Sequence, residues 1–206
     1  MDKIKVLIAD DHAIVRMGLS TLLEADGNVD IVGEAENGAE AVKLTLRLKP
    51  NLVIMDLMMP EMDGIAATGE IKRLSPETKV LVLTTSTVSD ELSRAVAAGA
   101  DGVIMKSSAN RELLTALKSV AGGRQHISRE IGELISQDPP LPALTPRQQD
   151  ILRAMTRGMT NKDISRELGI RADVVNQHVM AILEKFGAAN RTEAVAIALR
   201  KHLLKM

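Results

Sequence analysis

The chain of 206 residues has no cysteine, no tryptophan and no tyrosine, and its only aromatic side chain is Phe186. The absence of cysteine excludes disulfides and metal sites built from thiolates. Because unpaired bases stack on aromatic rings, any nucleic acid that this chain binds is expected to be duplex. No apolar run approaches the roughly 20 residues of a membrane-spanning helix, and Asp10 and Asp11 interrupt the first apolar stretch, which argues against a signal peptide. We therefore expect a cytoplasmic protein without a membrane segment.

The net charge of −1 hides an asymmetry between the two halves of the chain. Residues 1–122 carry 13 Lys and Arg against 18 Asp and Glu, whereas residues 144–206 carry 11 against 6. An acidic half joined to a basic half indicates two separate tasks, and a basic surface suits a polyanionic partner.

The first half alternates apolar runs with segments of helical periodicity. Strands are predicted at 4–9, 29–35, 52–56, 79–84 and 102–106. Alternating strands and helices favour right-handed βαβ units and a parallel sheet covered by helices on both faces. The fold class predicted for residues 1–122 is therefore α/β, doubly wound and flavodoxin-like, with strand order 2-1-3-4-5.

Polar side chains follow directly on four of these runs: Asp10, Asp11, Asp56, Thr84 and Lys106. Order 2-1-3-4-5 brings all of them to the carboxyl edge of the sheet, where open α/β sheets bind ligands. Carboxylates crowded together need a cation, and Mg²⁺ suits them because it takes carboxylate oxygens, keeps several waters and bridges to phosphate. Any one of these residues alone is more simply a helix cap or a solvated charge, but the set predicts a phosphoryl site.

Each residue of this set has an expected role. Asp56 is the predicted nucleophile, since an aspartate accepts a phosphoryl group as an acyl phosphate. Asp11 and Asp56 would ligate the ion directly, and Asp10 would reach it through water. Lys106 would pair with the phosphoryl oxygens, and Thr84 would donate a hydrogen bond to one of them.

The remainder of the chain divides into a connector and a helical region. Residues 123–143 are predicted to be a linker, because they combine a short amphipathic helix with the proline-rich segment 138–142. Residues 144–206 read as helices only. The first is predicted to start at the capping box of Thr145 and to end at Gly158, and the second to open at Thr160 and to close at Gly169. A third, longer helix runs from about Ala172 to Phe186, and Thr192 starts the last. This order is typical of an all-α helix-turn-helix domain.

Residues 1–122 resemble the receiver domain of two-component response regulators, on the Asp pair, the motif Asp56-Leu-Met-Met-Pro-Glu-Met-Asp-Gly64, Thr84 and Lys106. The resemblance implies phosphotransfer from a sensor histidine kinase to Asp56, dependence on Mg²⁺ and only slow self-dephosphorylation, without enzymatic action on other substrates. It also implies that the backbone carbonyl of Met58 is a metal ligand. One position departs from the pattern: Val103 stands where receivers usually have the aromatic residue that reports phosphorylation.

Residues 144–206 are similar to the four-helix output domain of the LuxR/NarL type, on Leu144-Thr-Pro-Arg147, Gly158-Met-Thr-Asn-Lys162, Leu168-Gly-Ile170 and Asn190-Arg-Thr-Glu-Ala194. The resemblance implies that the third helix enters the major groove of double-stranded DNA, usually as a homodimer. On that helix Asn176 and Gln177 are candidates to bind adenine edges, and Met180 to contact a thymine methyl. The predicted phosphate contacts are Lys162, Lys185 and Arg191.

Together these features predict a response regulator that is phosphorylated on Asp56, pairs into a homodimer and regulates transcription. The alternative is a receiver whose degenerate output domain binds a protein partner instead of DNA. Val103, Asn176 and Met180 keep that alternative open. A hydrolase of small phosphates is a further possibility, but the sequence offers it no separate substrate pocket.

Overall fold

A computed structural model describes residues 3–137, 139, 141–201 and 203 of the chain. The strands among these residues are β1 (Ile4–Ala9), β2 (Val29–Ala35), β3 (Leu52–Met55), β4 (Lys79–Thr84), β5 (Gly102–Met105) and β6 (His126–Ile127). The helices are α1 (Ala13–Ala25), α2 (Gly38–Leu48), α3 (Gly64–Leu74), α4 (Ser89–Ala97), α5 (Asn110–Ala121), α6 (Arg129–Gln137), α7 (Pro146–Thr156), α8 (Asn161–Leu168), α9 (Ala172–Phe186) and α10 (Arg191–Arg200). No helix in this described part of the chain has the length and apolar character needed to cross a membrane.

The first unit is built on a parallel sheet of order β2-β1-β3-β4-β5-β6. The predicted order 2-1-3-4-5 is confirmed, and a short sixth strand extends the sheet beyond β5. Strands β3 and β5 are buried along their whole length, as continuous apolar runs in a doubly covered parallel sheet should be. Separate apolar cores fill the two faces, one centred on Leu7, Val53 and Val82 and the other on Ile8, Ile54 and Leu81.

The segment predicted as a linker is folded for most of its length. Contacts divide the chain into residues 1–139 and 140–206, so the first unit extends past residue 122. Strand β6 pairs with β5, and α6 packs against α4 and β5 with Ile131 fully buried. The apolar face of this short helix therefore belongs to the core of the first unit, which the proline-rich sequence after it concealed. Asp138 and Pro140 of the predicted proline-rich segment lie outside the described residues.

Among its described residues, the second unit has four helices around a small core that includes Ile151, Leu152, Val175 and Ile182. Thr145 begins α7 with a capping box, in which its hydroxyl and the Gln148 side chain each accept a backbone N–H. Gly169 ends α8 at φ 62°, a left-handed conformation that glycine adopts without steric cost. The chain then turns into α9, completing the predicted helix-turn-helix. The last helix begins at Arg191, one residue earlier than the Thr192 start expected from the sequence.

Candidate functional site

The carboxyl edge of the sheet brings together the polar residues at the ends of β1, β3, β4 and β5. The N–H of Asp56 donates to the carbonyl of Ala9 over 2.8 Å, and the N–H of Lys106 donates to the carbonyl of Thr84 over 2.7 Å. Each of these residues is therefore anchored to the end of the neighbouring strand. The side chains of Asp56 and Thr84 are buried, as is that of Asp10.

Lys106 connects two of the buried carboxylates. Its Nζ lies 2.6 Å from Oδ2 of Asp10 and 2.9 Å from Oδ2 of Asp56. Ion pairs in a desolvated site are screened far less than pairs on the surface. One ammonium group thus holds two acidic side chains from separate strands in a single cluster.

Electrostatics in this cluster raise the pKa values of both Asp56 and Lys106. Burial raises the pKa of Asp56, the Asp10 carboxylate adds repulsion, and the hydrogen bond from Lys106 offsets only part of the rise. For Lys106, burial opposes the charge, but hydrogen bonds to Asp10 and Asp56 raise its pKa above the ordinary value. A further cation near Asp56 would relieve the excess of negative charge.

The loop after β1 carries the other candidate metal ligands. Ligand atoms of Asp10, Asp11 and His12 all lie within 4.8 Å of one another. The carboxylate oxygens are hard donors at the edge of a buried acidic cluster, which fits Mg²⁺. His12 is an addition that sequence reasoning missed. Its ring Nδ1 lies 2.6 Å from Oδ1 of Asp11, and its backbone N–H donates to Oδ1 of Asp10. The sequence signal was available, since His12 directly follows the Asp pair.

The loop after β3 shapes the surroundings of Asp56. The backbone N–H of Met58 donates to the Asp56 carboxylate and lowers its pKa, while the Met58 side chain is exposed. The loop passes so close to the start of α3 that a Cβ on Gly64 would lie 1.9 Å from the carbonyl oxygen of Asp56. Only glycine fits at this position, so the Gly64 of the sequence motif is required by the close approach of the two backbones.

The structure also locates Thr84, the expected hydrogen-bond donor, and Val103, which stands where receivers usually have an aromatic residue. The Thr84 hydroxyl oxygen accepts the N–H of Ser86 over 2.9 Å, which fixes the hydroxyl at the end of β4. Val103 is fully buried in β5, pairs with Ile127 of β6, and accepts the N–H of Ser128 at its carbonyl. The strand where other receivers carry an aromatic side chain is here covered by β6 and α6.

In the second unit, α9 presents the predicted base-contacting side chains. Asn176, Gln177 and Met180 are all exposed on it, at spacings that place them on one side of the helix. Asp173 near its start is paired with Arg171, whose guanidinium nitrogens lie 3.0 Å from its carboxylate oxygens. The repulsion that the Asp173 carboxylate would exert on phosphates is therefore offset by Arg171.

The predicted phosphate contacts separate into two groups. Lys162 is exposed at the start of α8. Lys185 instead donates to the carbonyl of Ala143 over 2.6 Å and to Oε1 of Gln148 over 2.9 Å. Arg191 donates to the carbonyl of Met159 and to Oδ1 of Asn161, and burial lowers the pKa of its guanidinium. In this structure the donors of Lys185 and Arg191 therefore hold the helices of this unit together, and their contacts with phosphate stay predictions.

Asn161 extends this internal network to the exposed face of α9. Its side-chain amide donates to Oδ1 of Asn176 over 3.3 Å while its own oxygen accepts from Arg191. Sequence reasoning missed Asn161, because no helical spacing connects it to α9. The contact limits the rotamers of Asn176 and so orients one candidate base-reading side chain.

Two family models match the chain and agree with this geometry. Residues 6–118 match the response regulator receiver domain, and residues 142–198 match the bacterial regulatory proteins of the luxR family. The first match includes all of the strand-end residues described above, and the second includes α7 to α9 and most of α10.

Relatives and solved structures resemble the chain over nearly its whole length. The transcriptional regulatory protein LiaR of Bacillus subtilis is 37% identical over 209 residues, covering 98% of this chain and 99% of that protein. The response regulator VraR of Staphylococcus aureus is 34% identical with the same coverage. Among solved structures, RcsB dimers bound to two parallel DNAs give a TM-score of 0.69 at 26% identity, covering 97% of this chain and 99% of that one. The response regulator ChrA of a heme-sensing two-component system gives 0.60 at 30%, covering 99% and 100%. The chain therefore belongs to the luxR-type response regulators, which are phosphorylation-controlled regulators of transcription and not enzymes.

Proposed function

We propose that this protein accepts a phosphoryl group on Asp56 from a sensor histidine kinase and, once phosphorylated, binds duplex DNA through α9. The observation that carries the proposal is the position of Lys106, whose Nζ contacts both Asp10 and Asp56 at the edge of the sheet. A buried acidic pair bridged by one lysine is poised to exchange part of that ion pairing for contacts with a phosphoryl group.

In this reaction a carboxylate oxygen of Asp56 forms a bond to phosphorus, and the bond between phosphorus and the imidazole nitrogen of the kinase breaks. The product on this chain is an acyl phosphate. Lys106 is near enough to donate to a phosphoryl oxygen, and the Thr84 hydroxyl is the candidate donor to another. Mg²⁺, held by Asp10, Asp11, Asp56 and the Met58 carbonyl, would neutralise negative charge on the phosphoryl oxygens.

A surface for the kinase lies on α1, beside the loop after β1 that carries Asp10 and Asp11 (the acidic loop). Ile14 and Met17 on this helix are 79% and 68% exposed. Large apolar side chains that remain in solvent next to a reactive group are expected to be covered by a partner. Docking there would bring a phosphohistidine close to the loop that carries Asp10 and Asp11.

In the second unit, α9 supplies the surface for DNA. Asn176 and Gln177 present amides that suit adenine edges, Met180 presents a methyl group, and Lys162 supplies a cation for phosphate. On α10, Leu199 is exposed while Ala194 and Ala198 are buried, so Leu199 is the candidate for pairing two chains into a homodimer. Regulation of transcription requires access to DNA, which supports a cytoplasmic location.

The phosphoryl acceptor is tested by incubating the full chain with acetyl phosphate and Mg²⁺ and recording intact mass. Wild type is expected to gain one phosphoryl group, and Asp56→Asn none. Asp30→Asn is the matched control, because Asp30 is exposed on β2. Absence of the adduct on wild type would refute the proposal, and an adduct on Asp56→Asn would assign the phosphoryl group to another residue.

DNA binding is tested by selecting bound duplexes from a random pool, with and without acetyl phosphate, at two salt concentrations. Enrichment of a common sequence supports the proposal, and Asn176→Ala should relax the preference at one position. Gln149→Ala is the control, since Gln149 is exposed on α7 and is not among the predicted DNA contacts. No enrichment in any arm would favour the alternative, an output domain that binds a protein partner.

A further inference from the structure

Arg16 is a buried cation in α1 that takes no part in the chemistry proposed above. Its guanidinium donates to three acceptors in three directions: the backbone carbonyl of Asp10 at 2.8 Å, Oε2 of Glu34 at 3.0 Å and Oε1 of Glu36 at 2.6 Å. A planar guanidinium satisfies such an arrangement, whereas the compact ammonium of lysine cannot span it. Arg16 therefore links the first helix, the end of β1 and the end of β2.

These contacts converge on the peptide groups of the acidic loop. The N–H of Asp10 donates to the carbonyl of Ala35 over 3.1 Å, and the carbonyl of Asp10 accepts from Arg16. Ala35 lies between the two glutamates that also bind Arg16. The peptide groups on both sides of the Asp10 Cα are thus fixed to β2, one directly and one through the guanidinium.

The charge on Arg16 is maintained despite its burial. Burial alone would lower the pKa of the guanidinium, but the hydrogen bonds to Glu34 and Glu36 outweigh it and raise the pKa. Both glutamates are partly exposed, at 44% and 70% of their side chains. Glu34 and Glu36 hold the Arg16 guanidinium in place, and the guanidinium fixes the loop after β1.

We propose that Arg16 is a positioning residue for the divalent cation, acting through the backbone of Asp10 and Asp11. The inference rests on the proposed function, because it assumes that these two carboxylates take the ion. Without these contacts of Arg16 the backbone of the loop after β1 can rotate. The Asp10 and Asp11 carboxylates must then be reordered each time the ion binds. Groups that orient metal ligands from behind commonly change metal affinity by roughly 10–100-fold when they are removed.

The test uses Mn²⁺ alone as the probe, and free Mn²⁺ is measured by electron paramagnetic resonance with the unphosphorylated full chain. Arg16→Met is expected to weaken Mn²⁺ binding roughly tenfold. Arg16→Lys should recover part of the loss, since an ammonium still reaches the Asp10 carbonyl. Arg129→Met is the matched control, because Arg129 is exposed and pairs only with Glu133 one turn away among the described contacts.

A second readout separates positioning from stability. The rate of phosphorylation by acetyl phosphate is measured against Mg²⁺ concentration, and Arg16→Met should raise the half-saturating concentration more than it lowers the maximal rate. A variant that melts at a lower temperature but binds Mn²⁺ as wild type does would overturn the inference. If Arg16→Met does not fold, the test uses Arg16→Lys. A Mn²⁺ affinity of Arg16→Lys equal to that of wild type would also overturn the inference. If wild type binds no Mn²⁺, or Asp11→Asn binds it equally well, the metal site of the proposed function fails instead.

Discussion

The Nζ of Lys106 lies 2.9 Å from a carboxylate oxygen of Asp56, the proposed phosphoryl acceptor. The same atom lies 2.6 Å from Asp10, so one cation compensates two buried anions that come from different strands. A charge that loses its partner in a desolvated site costs far more than a surface charge does. The ion pairing within the site therefore makes its stability depend on Lys106 whenever no divalent cation is bound.

Lys106→Met is expected to destabilise the first unit by about 3 kcal/mol in the presence of a chelator. The substitution keeps the volume of the side chain but leaves Asp10 and Asp56 facing each other without a cation. Added Mg²⁺ should restore part of the loss. The measurement is urea unfolding followed by far-UV circular dichroism, since the chain has no tryptophan or tyrosine to report by fluorescence.

Lys118→Met is the control for that experiment. Lys118 forms an ion pair with Asp26 at 2.7 Å, but it is half exposed, and an ion pair at the surface contributes little to stability. Equal losses for the two variants would mean that the bridge at the sheet edge is no stronger than a surface pair.

Asp56→Asn is expected to melt at a higher temperature than wild type near neutral pH without divalent cations. The pKa of Asp56 is raised in the folded chain, first by burial and then by repulsion from Asp10, so the native state binds its proton more tightly than the unfolded chain does. The stability from this group is complete below the unfolded pKa and is lost as pH rises through the folded pKa. Asparagine carries no charge, so the difference in melting temperature between Asp56→Asn and wild type should shrink as pH falls and Asp56 becomes protonated.

Thermal melting at a series of pH values, with Asp30→Asn alongside, measures this effect. The exposed Asp30 control should differ little from wild type at any pH. A melting temperature for Asp56→Asn that lies below wild type at neutral pH would contradict the direction of the pKa shift. Saturating Mg²⁺ should stabilise wild type more than the variant, because the variant lacks one of the candidate ligands.

The strands and the residues that follow them were predictable because buried parallel strands are short apolar runs with clear ends. All five predicted strands agree with the structure to within one residue, and Asp56 and Lys106 meet because the strand order brings their ends together. The three hydrogen bonds of Arg16 were not predictable, since a lone arginine on a helix gives no indication of acceptors on other segments.

The second unit shows the same contrast between local and tertiary signals. Capping residues such as Thr145 and the left-handed Gly169 act within a few residues, and the sequence located both helix ends. Lys185 and Arg191 look like free surface cations in the sequence. Their acceptors are 30 to 42 residues away along the chain, so only the folded structure reveals that they are already occupied.

Ile131→Ala is expected to destabilise the first unit by about 2–5 kcal/mol, as for other large-to-small changes in a core. Ile131 is fully buried against α4 and β5 although it lies in the segment that the sequence predicted as a linker. Leu46→Ala is the control, because Leu46 is 45% exposed on α2. Urea unfolding of the full chain distinguishes the two variants. Equal stability would mean that the packing of α6 adds nothing to the free energy of unfolding of the first unit beyond what an exposed side chain adds.

The salt dependence of DNA binding distinguishes the predicted phosphate contact from the internal cations. Lys162→Gln is expected to reduce the slope of log affinity against log salt by about 1, since each phosphate contact contributes about 0.9 on duplex DNA. Lys185→Gln should leave that slope unchanged but lower the melting temperature of the second unit, because the carbonyl of Ala143 and the Gln148 side chain lose their donor. Both slopes are measured on the duplex enriched by selection, with phosphorylated protein. The reverse outcome, a reduced slope for Lys185→Gln and an unchanged one for Lys162→Gln, would mean that Lys185 leaves its internal acceptors and contacts phosphate in the complex.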